Sequence, residues 1–186
     1  DMLMNELKKE GKIATTGNYD SRLYGNIFFK DPYFNDASNP RIFGETYDAK
    51  FGTANKPVFR KYLPPTQDQM DTEFLGLNVP LMRYSNVLLM KAEALNELQR
   101  SGEAIPLINL VRARADMPGM IGITYNAVKA QIEHERIIEF PLENFRFYDL
   151  RRWGKTKSAL DAVGRTGFDA AKNNFYPVPL TEIQNN

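Results

Sequence analysis

The chain has 186 residues, 42% of them hydrophobic and 12% aromatic, enough apolar material for one domain with a core of its own. Its 24 Lys and Arg stand against 23 Asp and Glu, so no basic excess is available to hold a phosphate backbone, which argues against nucleic acid as a partner. The absence of cysteine removes thiol nucleophiles, disulfides and cysteine-ligated metals, and no apolar run reaches the ~20 residues that span a bilayer, so the chain itself is expected to be soluble.

In chain order, positions 1–13 predict a helix with Leu3 and Leu7 four apart, closed by Gly11, and its start without capping sequence predicts a piece of something longer. Over 15–78 the periodicity fades. Gly17-Asn18, Asp31-Pro32, Asn39-Pro40, Gly52 and Pro64-Pro65 punctuate a Tyr- and Phe-rich tract that reads as long loops with short strands. Pro80 is placed to open a helix over 80–99, in which Leu81, Tyr84, Leu88, Ala92 and Leu95 share a face. Ser101-Gly102 breaks it, and a second helix over 103–115 carries Ala104, Ile108, Val111 and Ala115 on one side. Pro106 has no amide hydrogen, which restricts it to the first turn.

These two helices are expected to pair antiparallel, with small Ala92 and Ala104 where they approach. The unit over 85–118 has the length of one tetratricopeptide repeat, and no second copy follows. Other helices must therefore stack on it. Thr124 can cap a third helix running to Phe140, and a fourth runs over 145–153 to Gly154. Phe175-Tyr176-Pro177-Val178-Pro179 must be extended.

Candidate chemistry is sparse. Val128, Ile132, Glu135 and Glu139 fall on one face of the third helix, so two carboxylates continue an apolar stripe and must find cations or lose their charge. Arg146, Arg151 and Arg152 follow, with Asp149 among them, and a structural ion-pair network of Glu135, Glu139, Arg146, Asp149 and Arg152 is the expectation. The functional alternative is a glycosidase acid/base pair. His134-Glu135 is no metalloprotease motif, because Ile138 stands where the second histidine belongs and the chain has no other histidine. The glycines stand in no phosphate-binding spacing, so neither a metal nor a cofactor is expected. What remains is the ring-rich tract: Tyr33 and Phe34 beside Asn35 and Asp36, and Tyr47 with Phe51, set rings next to polar loop residues and are the expected ligand contacts.

The order of signatures resembles one family. Arg83-Tyr84-Ser85-Asn86-Val87-Leu88-Leu89-Met90 with Ala92-Glu93-Ala94 is similar to the "RYAEVLLMYAEA" helix of SusD/RagB proteins, and Ile108-Asn109-Leu110-Val111-Arg112-Ala113-Arg114-Ala115 to their "INxVRxRAG" helix. His134-Glu135-Arg136, Glu139-Phe140, Glu143 and Arg146-Phe147-Tyr148-Asp149-Leu150-Arg151-Arg152-Trp153-Gly154 resemble "hERrxELxfEGxRwfDLrRWG". Tyr176-Pro177-Val178-Pro179 with Glu182-Ile183 looks like "YPIPxxEI", while Ser21-Arg22-Leu23-Tyr24 and Arg60-Lys61-Tyr62 echo "DpRLyxT" and "rKY". Asn144 replaces the family's usual Gly, and both residues tolerate a left-handed turn.

The resemblance implies a mainly α fold of tetratricopeptide-like helical pairs forming an α-α superhelix with long aromatic-rich loops. It implies one C-terminal domain over 1–186, with a loop-rich segment over 19–78, a helical core over 79–154 and the parent's N-terminal half elsewhere. It further implies a non-enzymatic, lipid-anchored protein at the bacterial outer-membrane surface, which binds oligosaccharide and passes it to a SusC-like TonB-dependent transporter. The matched motifs are fold-defining, so no ligand residue is carried over from them. A tetratricopeptide-like interaction scaffold without small ligand, and a carboxylate-dependent glycosidase, are the alternatives.

Overall fold

The computed structural model describes residues 19–54, 56–64, 66–70 and 76–184, and the helix expected over 1–13 lies outside them. The chain divides into two compact units, Asp1–Glu143 and Asn144–Asn186. The fold is mainly helical, as expected. Among the described residues no helix is long and apolar enough to cross a membrane.

The first unit is built on three helices, α4 (Tyr84–Glu97), α5 (Ser101–Arg114) and α6 (Tyr125–Glu139), each packed on the other two. Leu88, Leu89, Ala92 and Leu95 of α4, Ala104, Ile108 and Val111 of α5, and Val128 and Ile132 of α6 are buried apolar residues of this three-helix layer. Ala92 and Ala104 are fully buried, as close approach of two backbones requires. One buried amide ties the three helices together: Asn96 donates to the Tyr125 carbonyl (3.1 Å) and accepts from the Ser101 hydroxyl (2.7 Å). Thr124 caps α6 by accepting from the Ala127 amide.

Two boundaries differ from expectation. The first helix starts at Tyr84 rather than Pro80, with Arg83 extended before it. The reversal between α4 and α5 lies not at Ser101-Gly102 but at Gln99, whose φ of 62° is left-handed. There the Arg100 amide donates to the Leu95 carbonyl and the Gln99 amide to that of Asn96, the six-to-one and five-to-two pattern of a Schellman end. Ser101 then opens α5, which leaves Pro106 inside the helix. The Gly102 carbonyl four residues earlier loses its helical donor, but Gly102 and Pro106 are both exposed, so water can serve it. Asp116 (φ 56°) ends α5 with the same Schellman pattern.

The loop-rich stretch holds short elements: α1 (Ser21–Asn26), capped by Asp20; β1 (Ile27–Phe28) antiparallel to β2 (Val58–Phe59); α2 (Tyr47–Phe51), capped by Thr46; and α3 (Gln67–Met70). Its rings form their own core. Leu23, Tyr24, Ile27, Phe28, Phe29, Phe34, Ile42 and Tyr47 cluster around Ile138 of α6, and Phe28 and Phe34 meet edge to face at 5.3 Å. This satellite core lets a tract with little regular structure hold a fixed shape.

The second unit comprises α7 (Phe145–Arg152), α8 (Thr156–Asp161), α9 (Ala170–Asn173) and α10 (Leu180–Gln184). Gly154 (φ 66°) and Gly164 (φ 76°) end α7 and α8 in left-handed turns. Between α9 and α10 residues 176–179 are non-helical, as the two prolines demand, and the Arg151 guanidinium lies 5.2 Å from the Phe147 ring and 5.5 Å from that of Phe175.

Ala104→Leu is expected to lower the unfolding free energy by about 1–3 kcal/mol in urea titration, since no space exists between α4 and α5 for three extra carbons. Ala94→Leu, on an exposed position of the same hairpin, should change it by less than about 0.5 kcal/mol.

Candidate functional site

A buried electrostatic network comes first, because it places the groove beside it. Glu135 is fully buried on α6. Its Oε1 accepts from Arg112 Nη1 (2.6 Å) and Gln131 Nε2 (2.9 Å), and its Oε2 accepts from Arg22 Nη1 (2.7 Å). One turn on, Glu139 Oε1 accepts from Arg83 Nη1 (2.7 Å) and Arg114 Nη2 (2.6 Å), and Oε2 lies 3.4 Å from Arg22 Nη1. Arg22 is braced by the Asp20 carboxylate at 2.7 Å, and Arg83 by Glu143 at 2.7 Å. Glu143 also pairs with Lys61.

The protonation consequences follow from this geometry. Burial alone would raise the Glu139 carboxyl, but the hydrogen bond from Arg83 and the charges of Arg114, Arg83 and Arg22 outweigh it and hold the group below its ordinary value. Burial would likewise lower Arg22, yet Asp20 and Glu135 carry it above its usual range. Lys61 goes the other way, because burial lowers it further than Glu143 restores it. Carboxylates held ionised by guanidinium forks are poor proton donors.

Glu135 and Glu139 are thus buried as the apolar stripe predicts, and their cations are Arg22, Arg83, Arg112 and Arg114. Arg146, Asp149 and Arg152 belong to the second unit, where Arg152 Nε donates to Asp149 Oδ1 at 2.9 Å. Helical spacing points to no partner for an acidic stripe lying far away in sequence. All four arginines stand in the family-like motifs, which was the available signal.

Two cavities open beside the network. One of about 430 Å³ is lined by Arg22, Lys61, Tyr62, Arg83, Arg114 and Glu139 among others. The second, of about 450 Å³, is lined by Phe28, Arg41, Phe43, Arg60, Lys61 and Tyr62 among others. Gly25, Lys61 and Tyr62 line both, so the two cavities adjoin across a shared wall and form the two parts of one groove region. Phe43 (φ 53°) and Tyr62 (φ 67°) sit in the left-handed region that bulky side chains rarely adopt, and such strain gathers at ligand clamps. The Tyr62 hydroxyl is buried with no hydrogen-bond partner among the described residues, and burial, aided by the Glu143 charge, pushes it above its ordinary pKa.

None of the six expected contact residues lines either cavity. Phe34 and Tyr47 are fully buried and leave no ring face for stacking. The Tyr47 hydroxyl donates to the Lys56 carbonyl at 2.6 Å and accepts from its amide at 3.0 Å, pinning the turn before β2. Asn35 Oδ1 accepts from the Asp48 amide, and Asp36 pairs with Arg41 at 3.3 Å. Tyr33 lies half-buried under the Arg41 guanidinium at 4.3 Å, and Phe51 packs on Tyr47 and Phe28. Composition marks the right tract, but it does not tell rings turned inward from rings that face a groove.

The SusD family's sequence model matches residues 5–186. A SusD-like protein of Formosa agariphila is 38% identical over 149 residues, 67% of this chain and 29% of its own. A second from that organism is 35% identical over 120 residues, 56% of this chain and 23% of its own. The chain therefore spans less than a third of these curated relatives. A crystal structure of a SusD superfamily protein from Bacteroides vulgatus matches all of this chain and 41% of its own length, with a TM-score of 0.81 and 26% identity. A SusD-like protein from Bacteroides fragilis shares the fold, with a TM-score of 0.60 at 23% identity over 84% of this chain and 36% of its own.

Arg112→Ala is expected to cost about 3–5 kcal/mol of stability by denaturant titration, because it removes one of the two guanidinium groups that hold the buried Glu135 carboxylate. Lys157→Ala, which removes an exposed pair with Asp161, should cost under about 1 kcal/mol. A depressed carboxyl contributes stability above its unfolded pKa and loses it as pH falls through the folded value. Unfolding free energy should therefore decline with acidification below pH 4.5, the ordinary value for Glu139, and less steeply in Glu139→Gln.

Proposed function

The chain belongs to the SusD family, and on that footing we propose that its parent is a cell-surface nutrient-binding protein that captures oligosaccharide without cleaving it. In this reading the parent is held at the outer membrane by a lipid and hands its ligand to a SusC-like TonB-dependent transporter. The observation that carries the ligand reading is the pair of adjoining cavities, in which Phe43 and Tyr62 stand among arginine and lysine donors. Sugars present apolar C–H faces and hydroxyl rims, so rings next to fixed donors suit them. The carboxylates that would serve a glycosidase, Glu135 and Glu139, are committed to arginines, which favours binding over hydrolysis.

A tetratricopeptide-like interaction scaffold is the competing reading. It is favoured by Tyr84, Val87 and Met90, which α4 leaves exposed, and by Leu81 and Met82 just before it. A glycan array on the full-length gene product separates the two, since a scaffold without small ligand binds no glycan.

Calorimetric titration of the full-length gene product should detect an oligosaccharide that binds without turnover. The pair Phe43→Ala with Tyr62→Ala should weaken it by about tenfold or more, the scale of two lost ring contacts. Unchanged affinity in the folded double variant places the site outside this groove. Release of reducing ends by pure protein overturns the non-enzymatic reading.

A further inference from the structure

The groove is unbalanced in charge. Arg22, Arg41, Arg60, Lys61, Arg83 and Arg114 line it, and Glu139 is the one carboxylate among its described lining residues. Both Glu139 oxygens are already occupied by guanidinium groups. Asp20 and Glu135 pair with Arg22, Asp36 with Arg41, and Glu143 with Arg83 and Lys61. Arg60 has no carboxylate partner among the described residues. Its Nη1 donates to the Tyr24 carbonyl at 2.8 Å, and its guanidinium lies 5.4 Å from the centre of the Phe28 ring. Arg114 gives one nitrogen to Glu139 and keeps a side chain that is 60% exposed.

From this arrangement, and resting on the glycan-binding reading, we infer that the groove takes an acidic saccharide, one bearing carboxylate or sulfate-ester groups. Arg60 in one cavity and Arg114 in the other meet the anions, with Phe43 and Tyr62 beneath the sugar faces between them. Two physical reasons select an anion over a neutral sugar. A guanidinium presents parallel N–H donors that match the two oxygens of a carboxylate or sulfate, and such charge-assisted pairs are about twice as strong as neutral hydrogen bonds. A neutral ligand seated over Arg60 would return hydroxyl hydrogen bonds but no opposite charge, so it compensates the desolvated guanidinium less fully than an anion does.

The test is titration of the full-length gene product with size-matched carboxylated, sulfated and neutral oligosaccharides, at low and high salt. The expected result is at least tenfold tighter binding of one acidic class than of the neutral set, weakening with salt. The two acidic arms decide between carboxylate and sulfate ester. Arg60→Gln and Arg114→Gln should each reduce acidic affinity by about tenfold and neutral affinity by clearly less. Arg60→Lys, which keeps the charge and loses the fork, should retain the salt dependence at intermediate affinity. Neutral sugars bound as tightly as acidic ones, or acidic affinity untouched in both folded glutamine variants, overturns the inference and leaves glycan binding standing. No binding in any arm overturns both.

Discussion

Two carboxylates on one helix face, buried among apolar residues, place a demand that the first unit is arranged to meet. An ion taken out of water loses several kcal/mol unless charges and hydrogen bonds replace the solvent. Glu135 and Glu139 are served by Arg22 from α1, Arg83 from just before α4, and Arg112 and Arg114 from α5. Each arginine fixes the element that carries it. Arg22 brings α1 and the aromatic core behind it onto α6, and Arg112 sets the register of α5 while also donating to the Pro118 carbonyl at 2.6 Å. Arg83 reaches Glu139 and Glu143 from an extended backbone, and a helix begun at Pro80 would carry that side chain on a different path. The late start of α4 and the reach of Arg83 into the network therefore go together. Such pairs add little net stability over an apolar core of equal volume, and what they supply is a single permitted arrangement of the elements.

That division of labour explains what was legible in the sequence. α6 was readable almost to the residue, because Thr124 is a strong cap, the apolar stripe has helical period and Pro141 follows its end. The α4–α5 pair was readable for the same reason, but its turn was not. Gln99 adopts the left-handed conformation that glycine usually takes, so residue type gave no sign of it, and Pro106 is tolerated inside α5 only because its surroundings are exposed. The burial of Glu135 was legible in local spacing, whereas its partner Arg22 lies 113 residues away and no period reaches that far. In the ring-rich tract, enrichment in Tyr and Phe was visible, and the sorting into core and groove depends on pairing such as Ile27 with Phe59, which closes the tract on itself. The strained backbones of Phe43 and Tyr62, the best local sign of the groove, are properties of the folded chain alone.

The network also bears on recognition. Arg83, Arg114 and Lys61 each hold a carboxylate inside the fold while lining the groove outside it. Ordering a free arginine or lysine side chain on binding costs on the order of 0.5–1.5 kcal/mol. Here that ordering is already accomplished by folding, so a ligand meets cations whose rotamers are set. The same logic holds on the apolar side, where Phe43 packs against the satellite core and the backbones of Phe43 and Tyr62 are both left-handed. A surface in which both the charges and the rings are fixed before the ligand arrives discriminates by fit more than by adaptation. The pairing that buries Glu135 and Glu139 is thus the same feature that fixes the neighbouring arginines at the groove.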